Sequence, residues 1–253
     1  MKKTLPIELV FQVAALVASV IVVHLMYQTI VRPNATAALQ ERAALIEQQG
    51  DLYEENRSFY VVVKDYEQES CFILMLWALS IMGFKARRIF REQALLGHEF
   101  IPVSDGVNIL PEDTRTYTRP LQALAEETQK ALLPRALLVA LNRFASTRNI
   151  QDVSEAVGSI CENESDRLDS ELAMIRYIAW AIPSIGFIGT VRGISDALGQ
   201  AYRAVEGDIA GVTTSLGVAF NSTFIALVIS IILMFFMHQL QLLQERLVLD
   251  THD

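Results

Sequence analysis

The stretch LGVAFNSTFIALVISIILMFFM at residues 216–237 decides the fold class of this chain. It contains 22 residues and no charged side chain. About 20 consecutive apolar residues are enough for a helix to span the hydrocarbon core of a bilayer. The stretch therefore predicts a transmembrane helix.

Three further apolar runs predict three more spans, at residues 7–31, 70–84 and 177–191. The first is long enough to cross a bilayer, although Lys2 and Lys3 before it leave a cleaved signal peptide as the alternative. The second covers only about 22 Å as a helix, so a buried helix of a soluble domain is its alternative. The basic residues that follow it favour the membrane, because they can reach the lipid headgroups. We predict an all-α integral membrane protein with four transmembrane helices and long cytoplasmic helical extensions.

Composition excludes several other classes of protein. Of the 253 residues, 52% are hydrophobic and 20% are charged, which is too apolar for disorder. The net charge of −8 gives no electrostatic support for binding nucleic acid. Cys71 and Cys161 do not form a disulfide framework, and the four histidines show no metal-ligand spacing. With no catalytic triad order, phosphate loop or CxxC motif, we expect no enzyme, no metal and no cofactor.

The distribution of basic residues predicts the orientation. They cluster directly after the second run, whereas residues 32–69 contain four basic and eight acidic residues. The positive-inside rule then places both termini in the cytoplasm. The predicted division is a transmembrane helix at 1–31, a periplasmic segment at 32–69, a second transmembrane helix at 70–84, a cytoplasmic helical domain at 85–175, the third and fourth transmembrane helices forming the pore at 176–240, and a cytoplasmic tail at 241–253.

The predicted cytoplasmic domain begins with turn formers. Glycines and prolines across residues 85–118 predict a loop or hairpin with short elements. A helical pattern follows from Leu121, and Pro134 is expected to kink or split it. Another helix starts at Asn149 and is expected to run into the third span as one long rod. The acidic face of that rod is either a solvated face or a docking surface.

The third and fourth runs carry stripes of small residues. Small residues let helix backbones approach closely in lipid, where the hydrophobic effect gives no packing drive. These stripes predict helix packing in the pore through Pro183, Gly186, Gly189, Gly193, Ala219 and Ala226.

Two threonines, Thr190 and Thr223, lie on the same stripes. A threonine in a membrane helix often bonds only the carbonyl four residues earlier, so packing alone is one interpretation. The other is an ion pathway, since a hydroxyl can solvate an ion. No carboxylate lies within the third or fourth run. If the chain helps to conduct ions, another subunit must supply the titrating group.

Two segments resemble a known family. AIPSIGFIGTVRGI at residues 181–194 looks like the signature of the MotA/TolQ/ExbB proton-channel family, and GVAFNSTFIAL at 217–227 is similar to that family's next membrane helix. The resemblance covers roughly residues 150–245. It implies a homopentamer in the bacterial inner membrane, around a dimer of a single-span partner of the MotB, TolR or ExbD type that carries a membrane aspartate. It also implies that Thr190 and Thr223 line the pathway of the transported ion, H⁺ or Na⁺.

The sequence departs from the family pattern at several points. Four predicted spans resemble MotA, whereas the threonines resemble ExbB and TolQ. Val218 stands where ExbB-type members carry a glutamate, and Arg192 stands where an apolar residue is common. The driven process is therefore left open among flagellar rotation, Tol/Ton-type energising, gliding and phage defence. The alternative function is a membrane scaffold that assembles an envelope complex without conducting.

Overall fold

A computed structural model describes residues 7–49, 58–101, 109–207 and 209–252. Within these ranges the chain forms helices and no strand. A short π-helix, Tyr27–Val31, follows the first α-helix. The α-helices are α1 Ile7–Met26, α2 Arg32–Gln49, α3 Phe59–Val62, α4 Tyr66–Leu96, α5 Thr114–Gln122, α6 Glu126–Gln129, α7 Leu132–Thr147, α8 Ile150–Glu171, α9 Ala173–Gly199, α10 Ala201–Val205 and α11 Ala210–His252.

Among the residues that the structure describes, four helical stretches are long and apolar enough to cross a membrane, which confirms the predicted fold class. Their bounds are Glu8–Glu41, Tyr66–Leu96, Ile150–Gly199 and Ala210–His252. The second helix is 31 residues long, so it is long enough to cross a bilayer although its apolar run is short. The fourth continues well past the apolar run that predicted it.

Two details of the predicted helices are corrected. The loop or hairpin expected from residue 85 is wrong as far as Leu96, because α4 continues to that residue. Lys and Arg are good helix formers, so the basic cluster extends the helix rather than ending it. The helix expected from Asn149 contains a one-residue turn at Leu172, between α8 and α9, although Ile150–Gly199 forms one helical stretch.

The chain divides into two compact units. The apolar unit contains residues 1–82 and 174–236, and the polar unit contains residues 83–173 and 237–253.

In the apolar unit, α1, the π-helix and α2 bury one stripe of residues spaced four apart. Four residues exceed one turn of an α-helix, so such a stripe drifts around the helix. The wider π turn counteracts that drift and keeps the stripe directed inward. The buried residues of the stripe are Ser19, Val23, Tyr27, Val31 and Ala35.

A hydrogen bond also connects α4 to α1. Trp77 of α4 donates from Nε1 to the carbonyl of Gln12 at 2.9 Å.

In the polar unit, α7 packs against α8 and α5. The side chain of Asn149 caps α8 by accepting a hydrogen bond from the backbone N–H of Gln151 at 3.0 Å, which confirms the predicted helix start. Pro134 lies in the first turn of α7, where its missing N–H removes no helical bond. The helical pattern from Leu121 is split before this proline, into α5, α6 and α7.

Candidate functional site

Three glycines of α9 pack directly against small residues of α11. An added Cβ at any of them would lie within 2.8 Å of a side-chain carbon, closer than real Cβ atoms approach. The two helices therefore meet nearly backbone to backbone, as the small-residue stripes predicted. As the residue numbers rise along α9, the residue numbers of their contacts on α11 fall, so the two helices are antiparallel. The pairs are Gly186 with Ala226, Gly189 with Ser222, and Gly193 with Ala219.

Large apolar side chains occupy the other faces of the same helices. They are exposed within the single chain, as expected for surfaces that lipid or other subunits cover. Pro183 lies inside α9 and is partly buried. Examples of these exposed side chains are Trp180, Phe187, Phe220, Phe224 and Ile231.

The structure brings Thr190 and Thr223 together at the crossing of α9 and α11. Their hydroxyl oxygens are in direct hydrogen-bond contact. The Oγ1 of Thr190 also lies 3.0 Å from the carbonyl oxygen of Ala219, and the Oγ1 of Thr223 lies 3.1 Å from that of Gly186. Because each hydroxyl has one proton, one threonine donates to the other, which in turn donates to a carbonyl of the opposite helix. Both bonds cross from one helix to the other. A threonine that only bonds its own helix, the alternative interpretation, does not describe Thr223.

The hydroxyl pair forms a small cluster of oxygens. Two hydroxyls and the carbonyls of Gly186 and Ala219 converge within hydrogen-bond distance. A hydroxyl that donates one hydrogen bond keeps lone pairs with which to accept another. Because both threonines are only half-buried, this oxygen cluster can meet a group outside the chain. It can accept a bond from a carboxylic acid or coordinate a cation.

A second polar region lies at the start of α4, where Glu67 and Glu69 contact three other helices. Glu69 accepts from His24 at 2.7 Å and from Arg32 at 2.6 Å. Its neighbour Glu67 forms an ion pair with Arg192 of α9, with 3.0 Å between Oε2 and Nη2. These charged side chains, which lie in or at the ends of the apolar runs, therefore pair with one another within the apolar unit.

The sequence patterns did not single out Glu67 or Glu69, which fell in the predicted periplasmic segment. A signal was nevertheless present. Arg192 ends one apolar run, and a charge at such a position needs a partner. The glutamates immediately precede another run, where an antiparallel helix would bring them near.

Both cysteines are buried free thiols. Cys71 contacts the carbonyl of Ile182 at 3.7 Å through its sulfur. Among the described residues, no three His, Cys, Asp or Glu side chains converge as metal ligands.

The model of the MotA/TolQ/ExbB proton channel family matches residues 124–252, about half of the chain. The matched range includes α9, α11 and both threonines, whereas α4 lies outside it. No curated protein and no solved structure matches the chain. The chain belongs to the MotA/TolQ/ExbB proton channel family and is a multi-pass membrane protein.

Proposed function

We propose that this member of the family is an ion-channel subunit of a rotary or force-generating complex in the bacterial inner membrane. It would couple ion flow to the motion of a single-span partner dimer. The observation that carries the proposal is the Thr190–Thr223 hydroxyl pair at the close crossing of α9 and α11. Both helices lie within the range that matches the family.

The proposed chemistry uses the hydroxyls as an adaptable solvation shell. The described parts of α9 and α11 carry no carboxylate in their apolar runs, so a membrane aspartate of the partner would bind the ion. A hydroxyl donates to a carboxylate and accepts from a carboxylic acid, so the pair can stabilise both forms. Each charge that crosses 100 mV releases about 2.3 kcal/mol, several times RT, which can bias a conformational step.

The proposed assembly is a homopentamer around a partner dimer of the MotB, TolR or ExbD type, with both termini in the cytoplasm. The exposed apolar faces of α9 and α11 support this assembly, because they offer surface for neighbouring subunits, the partner and lipid. The chemistry requires no cofactor. The transported ion is H⁺ or Na⁺, and oxygen ligands suit either one.

A non-conducting scaffold is the second candidate function. The observation in its favour is that both hydroxyls already have hydrogen-bond partners on the opposite helix, namely each other and a backbone carbonyl. Bonds between membrane helices stabilise packing, by about 0.6 kcal/mol on average. In that case the threonines would hold the two helices together and meet no ion.

The test replaces each hydroxyl by a methyl group. Thr190→Val and Thr223→Val keep the shape of the side chain but remove the hydroxyl. An ion or acid at this layer would then lose a hydrogen bond, which costs about 1–3 kcal/mol for a buried group left unpaired. We expect proton or sodium flux to fall at least about fivefold, while assembly with the partner is retained. Flux is measured in liposomes that contain the complex isolated from native membranes through a tag on this chain.

Two further variants control this test. Thr29→Val removes an exposed hydroxyl that bonds only its own helix, at the carbonyl of Leu25, and it should leave flux unchanged. Thr190→Ser keeps a hydroxyl and should conserve most of the flux. Normal flux in both valine variants would exclude an ion-pathway role for the hydroxyls. An intact wild-type complex without any flux would favour the scaffold.

A further inference from the structure

An ion pair stands beside the hydroxyl pair, at the end of the apolar run of α9. Arg192 directly follows that run, and 43% of its side chain is exposed. Its guanidinium lies 3.0 Å from the carboxylate of Glu67, whose side chain is only 12% exposed. The positive charge therefore reaches the surface of the chain, whereas the negative charge that balances it is held inside.

The distance from this ion pair to the hydroxyl pair is short. Arg192 is two residues beyond Thr190, which is a rise of about 3 Å along the helix. On the other side, the Cγ of Glu67 and the Oγ of Ser222 lie 3.2 Å and 2.7 Å from the point that a Cβ of Gly189 would occupy. Gly189 and Ser222 directly precede the two threonines in sequence.

The surrounding charges do not replace either member of the pair. Glu69 is engaged by His24 and Arg32. Asp65 interacts electrostatically with both Arg192 and Glu67, but the charge that acts on it most strongly is Lys64, at 3.8 Å. Removing one member would therefore leave a net charge within a few ångströms of the hydroxyl layer. A net charge this close changes the local concentration of cations and the rate at which they pass, because the low-dielectric protein and lipid around it focus its electric field.

We propose that the Glu67–Arg192 pair sets the electrostatic potential at this end of the ion pathway and so controls how fast a cation reaches Thr190 and Thr223. The inference rests on the proposed function. In the paired state the two charges cancel, and a cation meets a nearly neutral entrance. An unpaired Arg192 repels the cation, and an unpaired Glu67 attracts it.

The alternative is a purely structural clamp between α4 and α9. The two roles predict different signs. If the pair is a clamp, removing either partner impairs the complex in the same direction. If the pair sets the potential, the two single variants change the flux in opposite directions, and the double variant restores it.

The experiment measures proton and sodium flux in liposomes with the complex from native membranes. We expect Glu67→Gln to lower flux about five- to tenfold and Arg192→Gln to raise it about two- to fivefold. The double variant should lie within about twofold of wild type. Both single effects should shrink from 0.1 M to 1 M salt, as the screening length falls from about 10 Å to about 3 Å. The control Arg203→Gln removes the same charge from α10, where the guanidinium stacks on Tyr202, and it should change flux less than twofold.

A charge added after assembly makes the test independent of folding. Arg192→Cys is reconstituted and then labelled with a cationic or an anionic methanethiosulfonate. The cationic label should lower flux relative to the anionic label. Single variants that both lower flux by amounts independent of salt, with equal flux for the two labels, would overturn this inference alone. A wild-type complex without flux would overturn the proposed function, and this inference with it.

Discussion

The α9–α11 crossing in the apolar unit and the α7–α8 contact in the polar unit are stabilised by different kinds of contact. In the apolar unit, the backbone of α9 at Gly189 touches Ser222 of α11 with no side chain between them. In the polar unit, long charged side chains surround buried carboxylates. Glu164, which is 5% exposed, lies 2.7 Å from Arg135 and 2.8 Å from Arg167.

This difference follows from the solvent that each unit is built for. Lipid is as apolar as the side chains themselves, so α9 and α11 gain stability from close approach and from hydrogen bonds rather than from excluding solvent. In the polar unit, water hydrates the exposed parts of the arginines, and their charged ends neutralise the buried glutamates. Added volume should therefore harm the α9–α11 crossing most, and lost charge should harm the α7–α8 contact most.

The largest expected effect comes from Gly189→Leu. Its Cβ alone would lie 2.5 Å from the Cβ of Ser222, so α9 and α11 must separate. Overpacking of this kind costs about 1–3 kcal/mol or more. We expect the complex to lose its oligomeric state or its partner, as measured by native mass spectrometry.

A matched control for this variant is Gly217→Leu on α11. An added Cβ at Gly217 meets nothing within 4 Å in the chain, so the crossing should remain intact. Detection of the same oligomer with bound partner after Gly189→Leu would contradict the close-approach account of the apolar unit.

A smaller effect is expected from Glu164→Gln in the polar unit. The substitution keeps the shape of the side chain and removes the charge that both Arg135 and Arg167 contact. Lost charge-assisted hydrogen bonds at a buried group cost about 1–3 kcal/mol. The thermal unfolding midpoint of the purified protein should fall by several degrees. Glu162→Gln, on the exposed face of the same helix, should leave it unchanged, and an equal fall in both variants would refute the comparison.

The smallest effect is expected from Lys130→Gln. The hydrogen bond and charge of Lys130 lower the pKa of the exposed Glu126 carboxyl below its ordinary value. A lowered pKa favours the folded state above the ordinary pKa, and that contribution is lost as the pH falls. Because both side chains are largely exposed, the melting midpoint should not change measurably. NMR titration should nevertheless show the pKa of Glu126 rising, and an unchanged pKa would mean that the pair does not form in solution.

Local composition was sufficient to predict the four spans, the stripe of small residues and the start of α8 at Asn149. Each of these depends on residues close together in sequence: an uncharged run, glycines at helical spacing, or a capping side chain. The same local information failed at residue 85, where turn formers further along suggested a loop and α4 continued to Leu96. It also did not indicate the one-residue turn at Leu172 between α8 and α9, because no helix breaker lies there.

The candidate site was predicted in part. Thr190 and Thr223 were identified from the family resemblance and from their place on the small-residue stripes. Their roles in conduction stay a prediction. The structure adds that their hydroxyls touch and donate across the helix crossing. It also adds Glu67 as the partner of Arg192, from a part of the chain that the family match does not cover.

The sequence by itself determined that this chain is an α-helical membrane protein, because hydrophobic length and charge are properties of single segments. Only the tertiary structure decided which polar groups meet. Thr190 and Thr223 are 33 positions apart, and Glu67 lies on yet another helix. Their contacts depend on the depth and rotation of each helix against its neighbours. Those are set by close packing, such as Gly189 against Ser222, and a pattern within one segment does not contain them.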